Sequence, residues 1–176
     1  MAKLKILNTR ERKMILNITE DQWGVDFSGI AAENMMMLSS RDKIYLLSKS
    51  FEGLDERKLR INSAGLYFGE LKGESLRLSV EGSQMIGPES QRNTAELDDN
   101  EIMSWLSGED IMIGEGRKGS MTEGCSGNSF VIIKHRDKAT GKHDFFGCGK
   151  HMPADEKGSE RILNYMPKTR RVPSRG

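Results

Sequence analysis

The last sixteen residues, RILNYMPKTRRVPSRG, place Arg161, Lys168, Arg170, Arg171 and Arg175 in a stretch without a single Asp or Glu. Tyr165 and two prolines, Pro167 and Pro173, are threaded between them. Lys and Arg neutralise phosphates and release their counterions, and an aromatic ring stacks an unpaired base. The prolines stiffen the approach and hold the arginines more firmly than a loose tail would. The competing reading is a frayed, solvated end, a common fate of basic termini.

Further basic residues point to the same chemistry. Lys134 and Arg136 leave the apolar run FVIIKHR, and Lys150 follows FFGCG. The candidate nucleic-acid contacts are therefore Lys134, Arg136, Lys150, Tyr165, Lys168, Arg170 and Arg171. If the six cations converge on one face, each phosphate contact they make adds to the salt dependence of binding. The whole chain carries a net charge of only +1, but residues 124–176 hold eleven Lys and Arg against five acids, a net of +6. Residues 96–123 hold eight acids against Arg117 and Lys118. Such segregation is what a local polyanion site produces.

Other constellations are weaker. GEGRKG, residues 114–119, matches G-x-G-x-x-G and follows the apolar run DIMI, but no apolar helical stripe comes after it to present amides to a pyrophosphate. A glycine-rich, basic loop beside a nucleic-acid groove fits it better. Cys148 and His151 form half of a zinc site, with Cys125, His135 or His143 to complete it. Structural zinc favours two tight ligand pairs, and the second pair is missing, so no metal is expected. Cys148 is expected in the core and His151 on the surface. No nucleophile–base motif or carboxylate pair in an apolar setting stands out, so neither catalysis nor a cofactor is expected.

These residues need a scaffold. LKIL (residues 4–7) reads as a strand, and Asn8-Thr9 cap a helix carrying Met14, Ile15, Ile18 and Trp23 and ending at Gly24. A hairpin is expected over residues 34–49, with Met35, Met36 and Met37 as core. A second lies in LYFGELKGESLRLSV, where Leu76, Leu78 and Val80 alternate, and EGSQMIG reads as a short helix. Residues 88–101 are polar and aperiodic and read as a linker. Beyond it, a helix with Ile102, Trp105 and Leu106 on one face precedes four strands: DIMI, FVIIKHR, DFFGCG and RILNYM. This predicts an α+β chain of two domains, residues 1–90 mixed α/β and 94–176 a small β-barrel.

The bulk properties agree with a soluble globular chain. Length is 176 residues, 36% are hydrophobic and 30% charged. No apolar run approaches the ~20 residues of a spanning helix, and no signal peptide is evident. Two cysteines are too few for a disulfide framework, which predicts a reducing cytoplasm.

The stretches FFGCGK and RILNYMPKTRRV, with EIMSWLSGEDI, resemble the PUA-like RNA-binding domain of Sun-type RNA cytosine-5 methyltransferases, matched most closely from Pro167 to Arg171. The whole chain is similar to the small two-domain pre-PUA/PUA ribosome-biogenesis factors of archaea and eukaryotes. The resemblance implies a pre-PUA-like domain followed by a PUA barrel that binds rRNA or tRNA during maturation. It implies an RNA methyltransferase or a ribosome-assembly factor as protein partner. The methyltransferases carry a far larger catalytic domain, so that activity does not transfer. An accessory subunit of such an enzyme, or a protein scaffold in a pre-ribosomal particle, is the alternative.

Overall fold

The computed structural model describes residues 4–51, 65–114, 128–156 and 158–173. The first strand, β1 (Leu4–Ile6), leads into α1 (Thr9–Trp23). Asn8 caps this helix through a reciprocal capping box with Glu11, and Gly24, at φ 70°, closes it in the left-handed region that glycine enters without steric cost. The buried stripe is Ile15, Thr19 and Trp23, at i, i+4, i+8. Met14, expected in the core, is exposed because it lies one position, about 100°, off that stripe. Thr19 takes a core place because its hydroxyl donates to the Leu16 carbonyl at 2.8 Å.

A short helix, α2 (Ser28–Glu33), precedes β2 (Asn34–Ser39) and β3 (Lys43–Ser48), the expected first hairpin. The second is β4 (Leu66–Lys72) with β5 (Ser75–Leu78). All five strands form one antiparallel meander in chain order. The strand ends at Leu78, not Val80 as expected. The Ser79 side chain accepts from the Gly82 amide and starts α3 (Val80–Ile86) there.

Residues 88–101 are not a bare linker. They contain β6 (Thr94–Leu97), in which Thr94, Ala95 and Leu97 are buried. Their modest hydrophobicity hides a strand covered by a parallel partner, β8 (Phe130–Arg136). Between these run α4 (Asp99–Ser107), capped by Asp98, and β7 (Ile111–Ile113). The strands β9 (His143–Met152) and β10 (Glu160–Asn164) complete a mixed sheet of order β6-β8-β9-β10-β7, curled into a half-barrel. The fold is α+β with two sheets.

Two hydrophobic clusters fill it. One lies under α4, whose Trp105 packs with Ile133 and Ile162 of the second sheet. The indole N–H of Trp105 donates to the Phe146 carbonyl at 2.9 Å. Gly149 lets the ring lie flush on β9, since a Cβ there would come within 2.9 Å of it. The other cluster joins the sheets: Trp23, Phe27, Phe68 and Leu76 pack with Phe130, Ile132, Phe145 and Cys148.

Asn93 ties this junction. It is buried at 6% exposure with φ 51°, a left-handed conformation that asparagine tolerates better than most residues. Its side-chain amide donates to the Gln22 carbonyl at the end of α1, and its side-chain oxygen accepts from the Ser129 hydroxyl. Its own carbonyl accepts from the Ile132 amide. Gln22 in turn brackets β5, donating to the Leu76 carbonyl and accepting from the Leu76 amide. Replacing Asn93 with Gly keeps the backbone freedom but strips these side-chain bonds. Each buried group left unpaired costs about 1–3 kcal/mol. Asn93→Gly should therefore lower stability in urea unfolding by about that amount, and Asn93→Ala by more, because Ala adds left-handed strain. Equal stability of Asn93→Gly and the parent would refute the clamp.

Candidate functional site

The C-terminal segment folds back on the molecule. The Val172 amide donates to the Leu106 carbonyl at 2.9 Å, so residues up to 172 are docked against α4. Met166 is buried in the cluster beneath that helix. Lys168–Arg170 form one turn of 3-10 helix with Lys168 exposed. The Arg170 guanidinium bonds the Glu81 carboxylate in the first turn of α3. Arg171 Nε donates to the Met166 carbonyl at 3.1 Å, and its guanidinium lies over Gly108, where a side chain would collide with it. Over its described part the ending is a docked strap. Arg175 lies outside the described residues.

This strap walls a cleft of about 160 Å³ where the two sheets meet. Its other sides are the Tyr67–Arg77 face of β4 and β5, the start of α3, and Phe146–Cys148 of β9. Tyr165 stands at its edge, 39% exposed. The tyrosine ring is fixed from two directions. Phe130 meets it edge-on at 6.2 Å between centroids, and the Arg77 guanidinium lies 4.8 Å over its face. Lys150 Nζ sits 5.9 Å from the Phe130 ring. Arg77 is held in place by Glu70, which also takes Lys72 at 2.6 Å. Burial alone would raise the Glu70 carboxyl, but the two cations overcome it and hold it below its ordinary value. Glu70 is therefore a fixed anion that orients Arg77 rather than a proton donor.

Seven residues were candidates from sequence, and they divide. Tyr165 and Arg170 line the cleft, Lys150 reaches the Phe130 ring that abuts Tyr165, Lys168 is exposed on the strap, and Arg171 turns toward the Met166 carbonyl and Gly108. Lys134 and Arg136 do not join them. They occupy the opposite end of β8, about 20 Å from Phe130 to Arg136 at the usual rise of a strand. There Lys134 faces Glu96 at 3.8 Å, and Arg136 Nε donates to the Gly141 carbonyl in the β8–β9 turn. The six cations do not all converge, because a strand spaces its residues along its axis.

Arg77, Tyr67 and Glu81 were missed. They come from the first half of the chain, in segments whose pattern reads only as sheet or helix. Only Arg77, alternating with the apolar Leu76 and Leu78, marked an outward-facing cation.

The cysteine–histidine set does not assemble either. Cys148 and His151 are three apart on one strand, which puts them on opposite faces. His151 is buried, not on the surface as expected, because its Nε2 meets Glu160 Oε1 on β10 at 2.5 Å. His135 Nδ1 is 2.9 Å from the Leu97 carbonyl, and His143 Nε2 is 3.1 Å from Glu96. Among the described residues, no group of three or more His, Cys, Asp or Glu is arranged to hold a metal ion. Cys125 and residues 115–119 of the glycine-rich motif fall outside those residues. No helix among them is long and apolar enough to cross a membrane.

Cys148 lines the cleft but presents no nucleophile, since burial pushes its thiol up to about 12, with the Leu78 backbone and Arg77 only partly opposing. The thiolate is the reactive form. In native protein near pH 8, iodoacetamide should leave the Cys148 peptide unmodified by mass spectrometry, and urea should unmask it. The raised thiol also sets a sign. Its contribution to stability is complete below the unfolded thiol's value, near 8.5, and falls as pH climbs toward 12. Rapid native labelling of Cys148 would contradict the buried placement.

No family model matches the chain, and no curated protein matches it. Among solved structures, it is similar to a hypothetical protein from the hyperthermophilic archaeon Pyrococcus horikoshii, with a TM-score of 0.58 at 10% identity. That likeness covers 92% of this chain and 93% of the other, so the two share a fold across both sheets.

Proposed function

We propose that this protein is a non-catalytic RNA-binding protein of the pre-PUA/PUA kind, acting in rRNA or tRNA maturation or in ribosome biogenesis. The RNA lies along the C-terminal strap and the mouth of the cleft. The observation that carries this reading is Tyr165, a partly exposed ring fixed between Phe130 and Arg77, with Lys150 at the Phe130 ring, Arg170 in the same cleft and Lys168 exposed three residues on along the strap. A ring held in this way presents its surface to a base without first losing rotamer freedom, and the neighbouring cations suit the flanking phosphates. The similarity to the archaeal structure supports the fold part of the proposal and is silent on the ligand. The proposal moves the contact surface away from Lys134 and Arg136, whose end of β8 faces acidic side chains.

The test is a salt series with a labelled tRNA or rRNA fragment. Each phosphate contact adds about 0.7–0.9 to the slope of log K against log salt. Lys150→Ala with Lys168→Ala should weaken binding and flatten the slope by somewhat under two units. Arg170→Ala should change it less, because Glu81 already partners that side chain. Lys134→Ala should leave the slope unchanged. RNA affinity and slope that ignore the Lys150/Lys168 double variant would overturn the proposal, and retention of a pre-ribosomal protein instead would favour the scaffold alternative.

A further inference from the structure

The face of the first sheet turned away from α1 carries an unusual row of side chains. Phe68, Leu76 and Leu78 point to the core, so their neighbours Tyr67 and Arg77 point outward. Tyr45 on β3 lies directly opposite Tyr67 on β4, with ring centroids 5.6 Å apart. Lys43 Nζ hangs 5.3 Å over the Tyr67 ring. From Tyr67 the row passes to Arg77, then to Tyr165, Phe130 and Lys150. Aromatic rings and cations thus run without a break from the third strand of one sheet across the junction onto the other.

We propose that this row is a track for single-stranded RNA, with bases stacking on Tyr45, Tyr67 and the free side of Tyr165 and phosphates met by Lys43 and Lys150, while Arg77 stays paired with Glu70 and backs the Tyr165 ring. The inference rests on the RNA-binding reading and deepens it in two ways. It selects unpaired over duplex RNA, and it extends the site onto the first half of the chain. A duplex hides its base faces and is contacted through phosphates and 2′-hydroxyls, which makes no use of ring faces on a sheet. Unpaired bases use them directly. Tyr45 and Tyr67 stand on paired strands, so their spacing is set by the backbone ladder, and Tyr165 follows directly on the end of β10. Beside the row, Glu70 is already neutralised by Lys72 and Arg77. Burial raises the Tyr67 phenol above its ordinary value, with Glu70 adding to the effect and Arg77 opposing it, so the ring stays uncharged beside phosphates. The Lys43 stem is flexible, and its ammonium can leave the Tyr67 ring for a phosphate as a base takes its place.

The experiment uses the full chain and fluorescence anisotropy of a short labelled oligouridylate. The same strand annealed to oligoadenylate and an oligothymidylate are run beside it. The single strand should bind more tightly than the duplex. Tyr45→Leu with Tyr67→Leu keeps apolar strand residues and should weaken single-strand binding about five-fold or more, with the salt slope unchanged. Lys43→Gln should lower that slope by under one unit. Ultraviolet crosslinking of the parent protein should place uridine on the peptides containing Tyr45 or Tyr67, a readout that stands even where the double variant melts early. Equal oligothymidylate binding would still support the track, as one that reads bases rather than sugars. If the duplex binds as well as the single strand and crosslinks avoid both tyrosines, while Lys150→Ala/Lys168→Ala still weakens binding, the track is wrong and the C-terminal site survives. If neither RNA binds, both fall together.

Discussion

One asparagine, buried in a left-handed turn, makes every later contact between the sheets answer to a single geometry. Asn93 reaches the end of α1 with its amide, the start of β8 with its carbonyl, and Ser129 with its remaining oxygen. Because these partners lie on α1 and on β8 with the residue that precedes it, a shift of α1 against β8 breaks at least one bond to a buried side chain. The shared cluster of Trp23, Phe68, Phe130 and Cys148 supplies the larger but undirected attraction. The polar clamp chooses among the ways that cluster could pack. The cleft exists because this choice leaves β5, α3 and the C-terminal strap slightly apart.

Charge follows the same logic of placement. The acidic stretch around residues 96–101 folds against the far end of β8 and β9, where Glu96 meets Lys134 and His143, and Asp99 meets Lys138. Exposed pairs of this kind each add at most about 1 kcal/mol to stability. Their larger effect is on the field, since they cancel positive charge at that end and leave it concentrated near Lys150 and the strap. A chain with a net charge of +1 thereby acquires a pole.

Much of this was legible beforehand, and the failures have physical causes. Local signals located α1, both hairpins, α4 and the four C-terminal strands, since caps, glycine stops and two-residue alternation are properties of short segments. The strand Thr94–Leu97 escaped because Thr, a small Ala and Glu make too weak an apolar pattern until a parallel neighbour is known, and that neighbour lies more than thirty residues onward. His151 was misplaced because its partner Glu160 arrives from another strand. Among the site residues, Tyr165 and its neighbours were visible as a composition anomaly. The half contributed by Tyr67, Arg77 and Glu81 was not, because a site assembled across a junction leaves no trace in either segment alone. The same limit hid that Lys134 and Arg136 stand toward the end of β8 away from Lys150.

The two sheets also differ in how far apart their partners lie along the chain. In the first sheet each strand pairs with the next, whereas in the second β6 waits for β8 and β7 waits for β10. Near pairings form quickly and distant ones slowly. During synthesis the amino-terminal meander can therefore close while the ribosome is still adding residues beyond 130. Until those arrive, the side of Phe68 and Leu76 that will meet Phe130 and Ile132 stands bare. A chain stopped short of those residues would leave that apolar side without its cover, the kind of surface a holding chaperone recognises.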